Sequence, residues 1–93
     1  MPGIVRFNDV CSGHDCFPPR RPTSCSPDVF INGIAVERNG DTLETHCCDS
    51  SCHGGIYVGS GSVYANGRSI QVVADPISCG SICAVGSGDT FAK

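Results

Sequence analysis

The chain has 93 residues, with twelve glycines, six prolines, no tryptophan and a formal net charge of −3 from six basic and nine acidic side chains. A single domain of this size buries only about 60–65% of its unfolded surface, so a conventional apolar core would be marginal here. The acidic balance excludes the basic stripe of a phosphate-backbone binder, and no apolar run approaches the length of a membrane-spanning helix.

The opening segment, Met1-Pro2-Gly3-Ile4-Val5-Arg6-Phe7-Asn8-Asp9, has no apolar stretch after a basic start. No signal peptide is read there, and synthesis in a cytoplasm is expected. Stable disulfides are not the default in that compartment, which moves metal ligation up for the eight cysteines and three histidines. Residues 10–25 read as a Cys-, Pro- and Ser-rich loop holding His14. Its Arg20-Arg21 pair is taken as solvated.

Next comes Ser26-Pro27-Asp28-Val29-Phe30-Ile31-Asn32-Gly33-Ile34-Ala35-Val36-Glu37-Arg38-Asn39-Gly40-Asp41. After a second loop, residues 42–55, with His46 and His53, the pattern returns as Ser60-Gly61-Ser62-Val63-Tyr64-Ala65-Asn66-Gly67-Arg68-Ser69-Ile70-Gln71-Val72-Val73-Ala74-Asp75. Each copy is a short β-branched and aromatic run, an Asn-Gly and a second run. Asn-Gly tolerates the two positive φ angles of a type I′ turn, so each copy predicts a β-hairpin. A third loop, residues 76–84, holds Cys79. Val85-Gly86-Ser87-Gly88-Asp89-Thr90-Phe91-Ala92 then repeats the first half of the copy. The missing second half is Ile4–Asp9, which aligns with Val36–Asp41. The two ends of the chain are therefore expected to pair, residues 4–7 with 89–92, as a third hairpin without a turn. No segment shows a 3.6-residue apolar period, and no helix is expected. The fold class is all-β: a small pseudo-threefold cone of three β-hairpins, with long loops meeting at a metal site at its vertex, all in one domain spanning residues 1–93.

The loops open after Asp9, Asp41 and Asp75, whose carboxylates are expected to accept backbone N–H bonds in Asx-turns. His14 and His46 follow by five residues and Cys79 by four, and His53 is the fourth candidate. Three histidines and Cys79 form a closed N₃S set suited to Zn²⁺, with iron as the alternative. Cys47 or Cys52 could compete with His53, whereas the adjacent Cys47 and Cys48 cannot easily point at one ion. Disulfides such as Cys11–Cys16 or Cys79–Cys83 would require an oxidising space.

These residues resemble the proline-alanine-alanine-arginine (PAAR) repeat proteins, the sharpened tips of contractile injection spikes. The likeness rests on Ser26–Gly33, Glu37–Asp41, Val63–Gly67, the loop histidines His14, His46 and His53-Gly54-Gly55, and Asp75-Pro76-Ile77-Ser78-Cys79-Gly80. It covers essentially the whole chain, although the naming tetrapeptide is absent: Ile34-Ala35-Val36-Glu37 and Arg68-Ser69-Ile70-Gln71 follow the turns instead. The resemblance implies a non-enzymatic cone whose base caps a trimeric β-helical spike, one tip per trimer. The spike would be a phage tail spike or a valine-glycine-repeat secretion spike. The metal would lie beneath the point, and the target would be an outer membrane, with no nucleic acid involved. A virion baseplate tip made in the host cytoplasm is favoured over a type VI secretion tip. The docking face is expected around Val29, Ile31, Val63 and Ala65. The competing readings are a small zinc enzyme, with Glu44 as its base, and a disulfide-stapled secreted binding protein.

Overall fold

The computed structural model describes residues 2–92. Its regular elements are six strands in three antiparallel pairs: β1 (Phe30–Ile31) with β2 (Ile34–Ala35), β3 (Thr42–Cys48) with β4 (Ser51–Ile56), and β5 (Tyr64–Ala65) with β6 (Arg68–Ser69). No helix occurs among the described residues. The Asn-Gly reading holds at backbone level. Asn32 and Gly33 have φ of 55° and 76°, and Asn66 and Gly67 have 55° and 78°, the left-handed pair that a type I′ turn requires.

The same asparagines hold the repeats to one another. Ser26 Oγ donates to Asn66 Oδ1 at 2.6 Å, and Asn66 Nδ2 donates to Asp28 Oδ1 at 2.7 Å. In the other pair, Ser87 Oγ donates to Asn32 Oδ1 at 2.7 Å, and Asn32 Nδ2 donates to Asp89 Oδ1 at 2.9 Å. Each Ser-x-Asp thus grips the turn of a different hairpin, so a local turn residue also fixes tertiary order.

Second-half strands of the three copies meet in a closed ring of backbone bonds. Val5 N donates to Gln71 O, Gln71 N to Glu37 O, and Glu37 N to Val5 O, each at 3.0 Å. One apolar cluster beside the ring contains Ile4, Val36 and Ile70, with Ala65, Val72 and Ala92. A second contains Cys11, Leu43 and Ile77, with Val5, Tyr57 and Cys83. Two small clusters replace the single core that the composition could not supply. Cys11 and Cys83 serve in the second as small apolar side chains.

The chain ends do meet, in a shorter register than expected. Ile4 N donates to Thr90 O at 3.0 Å, Ala92 N donates to Pro2 O at 3.1 Å, and Gly3 bridges Phe91. Pairing therefore involves residues 2–4 and 90–92, because Val5 and Arg6 turn to their neighbours in the ring. Lys93 lies outside the described residues.

Segment 42–55 corrects the loop expectation, because it forms most of the longest hairpin. Its residues are Cys, His, Thr, Ser and Gly rather than a β-branched run, which hid the strand. Asp49, at φ 57°, makes the turn. The Asp readings are also refined. Oδ2 of Asp9, Asp41 and Asp75 accepts the N–H three residues earlier, from Arg6, Arg38 and Val72, at 2.8–3.0 Å. The carboxylates close the turn that leaves the ring rather than capping the loop that follows.

Glu37 and Gln71 are completely buried in the ring, and neither Glu37 carboxyl oxygen has a hydrogen-bond partner. Burial, reinforced by the charge of Asp41, pushes the Glu37 carboxyl up to about 9. It is therefore protonated in the folded protein at neutral pH, while the unfolded chain releases that proton near pH 4.5. Stability should fall as pH rises from about 4.5 towards 9. Glu37→Gln installs the side chain that the second copy carries at Gln71. It should raise stability at pH 7 by up to about 3 kcal/mol, from 1.36 kcal/mol per pKa unit. Thermal melts of both proteins across pH 5–8 check this: the gap should widen with pH, and a constant gap would refute a buried neutral carboxyl.

Candidate metal centre

Three separate segments deliver the four expected donors. His14 lies in the first loop, where its backbone exchanges hydrogen bonds with Phe17 at 3.1 and 2.8 Å. His46 and His53 are direct cross-strand partners on β3 and β4. Cys79 comes from the third loop, at a turn in which Gly80 takes φ 107°. Donor atoms of His14, His46, His53 and Cys79 all lie within 4.8 Å of one another.

Geometry and chemistry of this set fit a cation. Nε2 of His46 is 2.7 Å and Nε2 of His14 is 3.1 Å from Nε2 of His53. A tetrahedron of zinc–nitrogen bonds of about 2.0 Å places its nitrogens about 3.3 Å apart, close to this spacing. The tautomer of His46 is decided by Pro18, whose carbonyl lies 2.9 Å from Nδ1. A carbonyl can only accept, so Nδ1 carries the proton and Nε2 turns its lone pair into the cluster. Desolvation, followed by the neighbouring His46 and His14, lowers the His53 pKa and favours the neutral imidazole that a metal needs.

Phe17, which the sequence reading passed over, and Arg20, which it misplaced, complete the site. Phe17 packs against all three imidazoles, with ring centroids 4.7, 4.8 and 4.3 Å from His14, His46 and His53. Arg20, expected in solvent, is 3% exposed. Its Nη1 donates to Glu44 O at 3.1 Å, and its Nη2 lies 2.6 Å from Cys79 Sγ. Burial works against a Cys79 thiolate, but the backbone and hydroxyl of Ser81 together with Arg20 outweigh it and lower the thiol pKa. Gly55 makes room for this contact, since a Cβ there would stand 2.7 Å from Arg20 Nη2 and 3.3 Å from Cys79 Sγ. Nothing in the Arg-Arg dipeptide itself signals burial; only the chain crossing beside Gly55 does.

Residues 13–85 match the family model of the PAAR motif. The chain belongs to the PAAR motif family. That match spans the loops of all four donors and both Asn-Gly hairpins, and the family is structural rather than enzymatic. A comparison with curated protein sequences finds no match.

Glu44, the base that a zinc enzyme would use, instead accepts the Arg21 N–H at 2.9 Å through Oε1. The eight cysteines divide into two groups. Cys16–Cys48 and Cys47–Cys52 are disulfides, while Cys11, Cys25, Cys79 and Cys83 are free thiols. Neither Cys11–Cys16 nor Cys79–Cys83 forms. Cys11 and Cys83 face each other across a backbone bridge in the second apolar cluster, and Cys79 remains with the histidines.

Proposed function

We propose that this chain is a metal-pinned tip that caps a trimeric β-helical membrane-puncturing spike. The two Asn-Gly hairpins and the pairing of the chain ends would form a pseudo-threefold cone, and His14, His46, His53 and Cys79 would ligate one ion near its vertex. The observation carrying this reading is the convergence of those four donors, from two loops and the β3–β4 hairpin, in a chain of the PAAR motif family. The closed Val5–Gln71–Glu37 ring and principal extents of 37 × 23 × 22 Å, two of them nearly equal, support the threefold shape. Three imidazoles and one thiolate suit Zn²⁺, and Fe²⁺ is the alternative. Such an ion supplies folding free energy to a domain with little core. The spike would belong to a phage baseplate, the tip being made in the host cytoplasm, with a type VI secretion spike as the alternative source.

The proposed docking face moves off three of the four residues expected from sequence, while Val63 stays exposed. Val29 and Ile31 pack towards the first cluster and Ala65 is buried. Phe30, Tyr64 and Phe91, one from each copy, point outward with 56%, 63% and 47% of their surface exposed. A monomer that presents one aromatic per repeat can meet each chain of a threefold partner in the same way. Native mass spectrometry of the tip with its cognate spike should give three spike chains per tip, and the complex should persist at high salt. Tyr64→Ala should weaken it about 10–30-fold, the loss of a contact worth about 2 kcal/mol. A 3:3 assembly, or dissociation on modest salt addition, would overturn the capping geometry.

A further inference from the structure

Four of the eight cysteines stand beside the histidine donors without being among them. Cys47 and Cys52 are the cross-strand pair next to His46 and His53, and they are joined to each other. Cys48 follows His46 by two residues, Cys16 follows His14 by two, and these are joined as well. Every histidine donor is thus within two residues of a half-cystine. The one sulfur donor, Cys79, is outside both bridges. Oxidation therefore consumes these four neighbouring thiols and spares the ligand.

The two redox states differ in what they offer an ion. Side chains alternate along β3 and β4, so Cys47 and Cys52 project from the hairpin face opposite to His46 and His53, and their bridge braces the two strands that carry those donors. Cys16, Cys48 and the Asp49 carboxylate, whose donor atoms also lie within 4.8 Å of one another, make a second set. That second set exists only while the bridges are reduced, and closing Cys16–Cys48 removes it. The first loop is then tied to β3, and β3 to β4, so His14, His46 and His53 sit on one cross-linked frame.

We propose that these two disulfides act as an oxidative lock on the metal centre. In a reducing compartment the protein is metal-loaded but exchangeable, with the Cys16, Cys48 and Asp49 set open to a competing ion. On entering an oxidising space, the ion is committed to His14, His46, His53 and Cys79 and released slowly. Each bridge forms by thiol–disulfide exchange with a low-molecular-weight disulfide such as oxidised glutathione. Two cysteine thiols lose two electrons and two protons, one sulfur–sulfur bond forms in the protein, and one glutathione disulfide becomes two glutathione thiols. The proposal rests on the metal-tip reading above.

The test uses the full chain in a phosphine-reduced state and after equilibration with oxidised glutathione, with disulfides mapped by mass spectrometry. Co²⁺ titration reports the donors. The reduced protein should show stronger thiolate-to-metal charge transfer and bind more than one ion per chain, and the oxidised protein should show one thiolate and one ion. Zinc release to a chromogenic chelator should be at least about tenfold slower from the oxidised protein, the factor that ~1.4 kcal/mol of added barrier produces. A variant with Cys16, Cys47, Cys48 and Cys52 all replaced by Ser lacks both the competing thiols and the bridges. It should show a one-thiolate Co²⁺ spectrum and fast release in both buffers. Equal release from oxidised and reduced wild type, slow release from the four-serine variant, or four cysteines that stay as thiols would each overturn the lock while leaving the metal tip intact. Absence of bound metal in both states would overturn the metal tip itself, and the lock with it.

Discussion

Deleting Phe91, Ala92 and Lys93 should destabilise the whole domain, although the cut removes only a terminus. Ala92 is buried against Ile4, Val36, Ala65, Ile70 and Val72, and its N–H bonds the Pro2 carbonyl. The deletion removes that bond, worth about 1 kcal/mol. It also opens the flank of Ile4 and Val72 to water, at about 2 kcal/mol for partial exposure of two aliphatic side chains. A loss of about 3 kcal/mol is a large share of the ~5–15 kcal/mol that holds a domain folded. For a chain of this length it corresponds to a fall in melting temperature of about 12–24 °C. Thermal and denaturant melts of the truncated and full-length proteins measure it. Coincident curves would show that the chain ends do not close the ring of repeats.

His46→Ala should have the largest effect of any single substitution at the metal centre. His46 is the most buried of the three histidines, and its ring touches His14, His53 and Phe17 while its Nδ1–H holds Pro18. Removing it takes one donor from the cluster and leaves the Pro18 carbonyl without that bond. Metal content should fall from about one ion per chain to below about 0.2, because in so small a domain metal binding and folding are one equilibrium. Melting temperature should fall by 15 °C or more, on the scale of about 4–8 °C per kcal/mol. Elemental analysis of chelator-free protein alongside calorimetry checks both. Full metal content with an unchanged melt would exclude His46 as a ligand.

Much of this protein is legible before folding is considered, because it repeats. Asn32-Gly33 and Asn66-Gly67 announce their turns through the only residue types that take two consecutive positive φ angles cheaply. Offsets between copies align Val5, Glu37 and Gln71, and likewise Phe30, Tyr64 and Phe91. The offset from Val5 to Glu37 also carries His14 to His46, and Cys79 stands one residue short of the next equivalent place, since near-equivalent positions in a closed repeat come together. Such reasoning works because local turn chemistry and repeat spacing depend on few residues at short range.

Other features exist only once the chain has closed. Strands β3 and β4 carry Thr, Glu, His, Cys, Ser and Gly, with too weak a propensity to be seen as strands; cross-strand pairing and the Cys47–Cys52 bridge hold them. Arg20 reads as a surface charge until the third loop brings Cys79, and β4 brings Gly55, against it, and its cationic head then finds the Cys79 sulfur instead of water. Disulfide partners follow the same rule. Cys16 and Cys48 are separated by 32 residues, and no spacing argument selects that pair. Glu37 is the clearest case: by sequence it is an ordinary hairpin acid, and only the ring of three repeats strips its water away and leaves it uncharged. Propensity and periodicity act along the chain, whereas desolvation, ion pairing and sulfur pairing are set by neighbours distant in sequence, which only the tertiary fold supplies.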